Sequence, residues 1–176
     1  MTSAIRQNYY EDCEAAINKQ INMFLYAEYV TRAMSYHFQR DDVAFTRIVE
    51  YYELAASFFH EQTEMLSRYQ NLRGGRIVLQ DIQAPSVEWN HYLNAFQDFL
   101  ALARRVNESL LVISEISSNH EDAHLSFYIV SNHINPLVDI IHDISKQITN
   151  AKRSGDGLGE AQFAKNLDLD LMRSLF

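Results

Sequence analysis

At 176 residues, with 47% hydrophobic side chains but only 5 Gly and 2 Pro, the chain is about one domain long and carries enough apolar material for a sizeable core. Fifteen basic residues against 23 acidic ones leave a formal net charge of -8, which argues against nucleic acid as partner and suits a soluble protein or one attracting cations. The single cysteine, Cys13, excludes an intrachain disulfide; the opening Met1-Thr2-Ser3-Ala4-Ile5-Arg6 lacks the apolar core of a signal peptide, and no apolar run is long enough to span a bilayer, so a cytoplasmic, non-membrane protein is expected.

Taken in chain order, apolar or small residues recur at helical spacing through Ile17, Ile21, Phe24, Thr31 and Phe38, then through Ile48, Tyr52, Ala55, Phe59, Leu66 and Tyr69. The second of these amphipathic helices spans roughly residues 44–72. The short polar turn Gln39-Arg40-Asp41-Asp42 makes the two antiparallel neighbours, and Gly74-Gly75 closes the second with left-handed backbone. Residues 76–86 read as an extended connection, too long for a hairpin, that crosses the length of the bundle. A third helix is expected from about Val87 to the Ser117-Ser118-Asn119-His120 stretch. A fourth begins near Asp122, which can cap it, and runs through Ile148 with a kink at Pro136. After the glycine-rich stretch at 155–159 a short fifth helix is expected from Glu160 to about Met172. There is no internal repeat and no low-complexity stretch, and residues 1–176 read as a single domain.

Several blocks carry a resemblance: Arg6-Gln7-Asn8-Tyr9, Glu14-Ala15-Ala16-Ile17-Asn18-Lys19-Gln20-Ile21-Asn22, Arg40-Asp41-Asp42-Val43-Ala44, Gln70-Asn71-Leu72-Arg73-Gly74-Gly75-Arg76-Ile77 and Val106-Asn107-Glu108-Ser109-Leu110-Leu111. In order and spacing over nearly the whole chain they resemble animal ferritin. The expected fold is therefore all-α: a ferritin-like four-helix bundle with a long crossover between the second and third helices and a short fifth C-terminal helix. The resemblance also implies a cage of twenty-four subunits.

Three places should then carry chemistry. A di-iron carboxylate site at the bundle centre needs hard oxygen ligands and a histidine from several facing helices. Aligned on the blocks above, this chain has Phe24 at the first-helix glutamate, Thr31 at the nearby tyrosine, Phe58 and Phe59 at the two second-helix carboxylates, Gln62 at the histidine, Ala103 at the third-helix glutamate and Leu137 at the fourth-helix glutamine. The resemblance thus implies a divergent subunit without the ferroxidase ligands, hence no enzyme and no required cofactor. Helical spacing points Glu28 and His133 inward, with Gln62 as a candidate third group between them, as a lone metal site or as buried groups that hydrogen-bond each other.

At the three-fold pore, family positions that are acidic hold Phe127 and Val130, with Ser114 at a nearby histidine position. Such a ring either closes the passage by dewetting or strengthens an oligomer contact. On the inner wall Glu61 and Glu64 match part of a mineral-nucleating cluster, with Glu53 nearby and His60 as a further possible ligand; solvated surface is the ordinary alternative. At the four-fold end, Gln162 and Asn166 replace an apolar residue and a histidine. The leading expectation is a non-catalytic, shell-forming subunit of an iron-storage cage, alone or mixed with catalytic heavy-type subunits that oxidise ferrous iron. The alternative is a ferritin-derived cage repurposed for a structural, protective or storage role without iron.

Overall fold

A computed structural model describes residues 3–176; Met1 and Thr2 of the expected leaderless terminus lie outside the described residues. Four helical rods run α1 (Glu11–Gln39), α2 (Thr46–Leu72), α3 (Tyr92–Asn119) and a fourth built from α4 (Ala123–Ile129), a π-helical turn (Val130–Ile134) and α5 (Asn135–Ser154). Two short helices, α6 (Leu158–Lys165) and α7 (Asp170–Ser174), follow. The all-α bundle expected from the periodicity is therefore the fold, and no strand occurs among the described residues.

Arg40 to Phe45 reverses the chain between α1 and α2. Ala44 takes a φ of +55° and the Phe45 amide donates to the Phe38 carbonyl at 3.1 Å, so α2 starts at Thr46, two residues later than expected. At the far end Gly74 adopts a φ of +78°; its amide donates to the Asn71 carbonyl, and that of Gly75 to the Gln70 carbonyl at 2.9 Å. This paired closure needs the left-handed conformation that glycine supplies without a Cβ penalty. The crossover leaves from there, pinned to α1 by Asn18, whose side chain donates to the Arg76 carbonyl and accepts from the Val78 amide, both at 2.9 Å. It ends where Trp89 packs edge-on against His37 of α1, so it does cross the length of the bundle.

The third helix starts five residues later than the expected Val87. Trp89 donates from its indole to Asp98 at 2.9 Å, which holds its own segment alongside the first turns of α3, and extended His91 caps the helix by accepting from the Leu93 amide. Asp122 caps α4 as expected, accepting from the Leu125 amide at 3.0 Å, and its carboxylate also meets Arg73 at 2.8 Å. The kink expected at Pro136 is a widened turn: the Asn135 amide donates to the Val130 carbonyl five residues back, so the extra residue sits just ahead of the ring that cannot continue the ordinary ladder.

The single fifth helix expected at 160–172 is two pieces. Between them Arg47 donates two bonds to the Leu167 carbonyl, at 3.0 and 2.6 Å, drawing the backbone off the helical path. Leu167, Leu169 and Met172 are buried, and Arg173 pairs with Glu50 at 2.5 Å, so the tail folds back onto α2 and α5 of its own chain.

Candidate functional site

The middle of the bundle is aromatic. Phe24 of α1 faces Phe59 of α2 at 6.3 Å between ring centres; Phe58 meets Phe59 edge-on at 5.3 Å, and Phe59 meets Phe99 of α3 at 6.3 Å. Ala103 and Leu137 are buried, and Thr31 spends its hydroxyl on its own helix, donating to the carbonyls of Ala27 and Glu28 at 2.9 and 3.0 Å. The structure therefore brings the seven positions singled out in the sequence into the interior, and none of them carries a carboxylate. Each fully buried Phe contributes on the order of 1.5–3 kcal/mol of apolar transfer, whereas two cations in this low-dielectric volume would need anions that these side chains lack.

One polar pair remains inside. His133, carried on the π-helical turn, is 1% exposed, and its Nδ1 lies 2.6 Å from Oε1 of Gln62. The amide oxygen can only accept, so the proton sits on Nδ1. Nε2 is left buried and, among the described residues, without a hydrogen-bond partner; the imidazole ring lies 5.6 Å from the Phe24 ring and 5.4 Å from the Tyr128 ring, centre to centre. Burial pushes the pKa of His133 down to about 4. Glu28 does not join this pair: its two carboxylate oxygens are taken by Arg32 at 2.8 Å and His60 at 3.3 Å.

Elsewhere the sequence-derived positions lie on the surface. Glu53, Glu61 and Glu64 are exposed along α2, with Glu64 paired to Arg68 at 3.7 Å. Phe127 is 73% exposed and Val130 40%, a large apolar side chain facing outward on α4, while Ser114 is half-buried on α3. Gln162 and Asn166 line a cavity of about 500 Å³ shared with Gln147, Asn150 and Arg153.

The sequence reading missed one cluster. Among the described residues a single group of three or more His, Cys, Asp or Glu side chains holds its ligand atoms within 4.8 Å of one another: Asp12, Cys13 and His120. Asp12 and Cys13 open α1, and His120 caps α3. The adjacent Asp-Cys pair was visible in sequence, but nothing local announces that a histidine 107 residues on meets it.

A ferritin-like domain family matches residues 14–154. The chain is 44% identical over 164 residues to a protein named Ferritin-1 heavy chain from Schistosoma mansoni, covering 93% of this chain and 95% of the relative. It is also 44% identical to Soma ferritin from Lymnaea stagnalis, over 93% of this chain and 94% of that one. These likenesses overturn the expectation that the chain is no enzyme: a relative at this identity is a heavy chain, the subunit type that the resemblance associates with ferrous oxidation. Missing ligands at one place also say nothing about ligands at another, and Asp12, Cys13 and His120 gather some outside the bundle centre. The blocks, the bundle with its long crossover, the family match and the two relatives agree: this chain belongs to the ferritin family.

Proposed function

We propose that the chain is a shell-forming subunit of an iron-storage ferritin cage in which the centre of the bundle packs instead of holding the di-iron ligand set. The observation that carries this reading is the packing of Phe59 against both Phe24 and Phe58, beside the Gln62–His133 hydrogen bond. Ferrous oxidation, where the cage carries it out, then takes place away from these positions. The cage is the twenty-four-subunit shell of the family, cytoplasmic, a homopolymer or a mixture with catalytic ferritin subunits. No helix among the described residues is long and apolar enough to cross a membrane.

Iron is cargo here and no resident cofactor is required. Glu53, Glu61 and Glu64 are the acidic side chains for the mineral, exposed on one helix. Phe127 and Val130 stand at the three-fold axes, with Ser114 beside them, and form an apolar ring; Gln162 and Asn166 stand at the four-fold end. Loading the purified cage with ferrous salt in air tests storage: a ferric core is the expected result, and cages that stay empty beside a ferritin control would refute it. Co-expression with a catalytic subunit followed by native mass spectrometry distinguishes mixed cages from homopolymers.

The outward-facing Phe127 favours a second reading, a cage turned to a structural, protective or storage role without iron, because an apolar ring dewets the route by which hydrated cations enter. Empty cages in the loading experiment are what this second reading expects.

A further inference from the structure

We propose that Asp12, Cys13 and His120 form a binding site for a borderline-soft divalent cation of the zinc type, away from the centre of the bundle. Three observations converge on it. Oδ2 of Asp12 lies 2.6 Å from Nε2 of His120, and the Cys13 sulfur completes a triangle of ligand atoms no more than 4.8 Å on a side. In a tetrahedral zinc site with bonds of about 2.0–2.3 Å, ligand atoms stand about 3.5 Å apart. The Asp–His edge thus opens by roughly 1 Å while the sulfur closes in, which side-chain rotation supplies.

The donors are also held in place. The remaining Asp12 oxygen accepts from the Cys13 amide at 2.9 Å, leaving the other to face His120. The His120 ring is stacked on Tyr10 at 4.0 Å, 12° from parallel. Such outer contacts orient ligands in metal sites. An exposed Asp–His pair alone is ordinary surface. What sets this one apart is the fully buried cysteine beside it, together with access: Asp12 and His120 keep 54% and 28% of their side-chain surface in solvent.

The chemistry selects the cation. A thiolate, an imidazole and a carboxylate suit zinc or cobalt better than the hard-oxygen cations, and two anionic ligands balance a divalent charge while solvent fills the fourth position. On binding, the Cys13 thiol gives its proton to solvent and His120 presents a bare Nε2 with its own proton on Nδ1. The ion would join the start of α1 to the end of α3.

Cobalt(II) titration of the chelator-stripped, assembled protein tests this directly. Cys13 is the only cysteine in the chain, so a thiolate-to-cobalt charge-transfer band reports on this site regardless of cobalt held by surface carboxylates. The expected result is a band that saturates at one cobalt per subunit, is displaced by zinc and is absent in Cys13→Ser. Because Cys13→Ser alters a packed position, the partly exposed variants Asp12→Asn and His120→Ala are the second arm. Each should weaken cobalt binding at least about tenfold in a cage with unchanged circular dichroism. Absence of the band at stoichiometric cobalt, or a band of unchanged affinity in both of these variants, would overturn the assignment.

Discussion

Acid should attack this protein first at His133. Its pKa is pushed down by burial to about 4, against an ordinary 6.5, so the imidazole is neutral in the fold and charged in the unfolded chain through the window between them. The unfolded state then binds more protons, and stability is complete above about pH 6.5 and falls as pH drops towards 4. Over the whole span from 6.5 to about 4 the loss corresponds to about 3 kcal/mol, of which about 2 kcal/mol falls between pH 7 and pH 5. The variant His133→Gln keeps a donor for the Gln62 oxygen and cannot titrate. Guanidinium unfolding at fixed protein concentration, followed by circular dichroism at both pH values, isolates the histidine by difference. Wild type should lose about 2 kcal/mol per subunit more than the variant. Equal losses would show that the imidazole is hydrated in the fold, and the dry-centre account would fail with it.

Phe59→Glu should cost about 3–5 kcal/mol, since it gives up a buried ring and places one carboxylate without partners in the interior; an unchanged melting temperature would mean that water reaches the centre. Asp122→Ala removes both the cap of α4 and the partner of Arg73, which remains mostly buried, so a loss of about 2–4 kcal/mol is expected from chemical denaturation. A loss under about 0.5 kcal/mol would place Arg73 in solvent. Phe127→Asp should speed the initial uptake of ferrous iron into the cage if these side chains close the three-fold passage; stopped-flow loading at an unchanged rate would leave Phe127 as a subunit contact.

Much of the architecture was legible because helical periodicity and turn chemistry are local. Gly74-Gly75, Asp122 and the short polar turn at 39–42 all act within a few residues of where they stand, and the structure uses each to begin or end a rod. The misplaced boundaries came from partners that lie outside the helical repeat. Trp89 is tied to Asp98, and Leu167 to Arg47 across 120 residues, and neither bond has a local signature. Pro136 announced a disturbance, but its form as a widened turn that carries His133 depends on packing. The inward set at the bundle centre followed from the resemblance and helical phase, whereas Glu28, given the same phase, turned to Arg32 and His60 because those charges lie within its reach. The step from a missing ligand set to a missing activity failed, because it treated one site as the whole molecule.

An anomalous-scattering map of crystals soaked in ferrous salt addresses the packed centre most directly. The account predicts no metal peak among Phe24, Phe58 and Phe59. A pair of peaks a few ångströms apart inside a single subunit, with Gln62 or His133 among the neighbouring side chains, would contradict it.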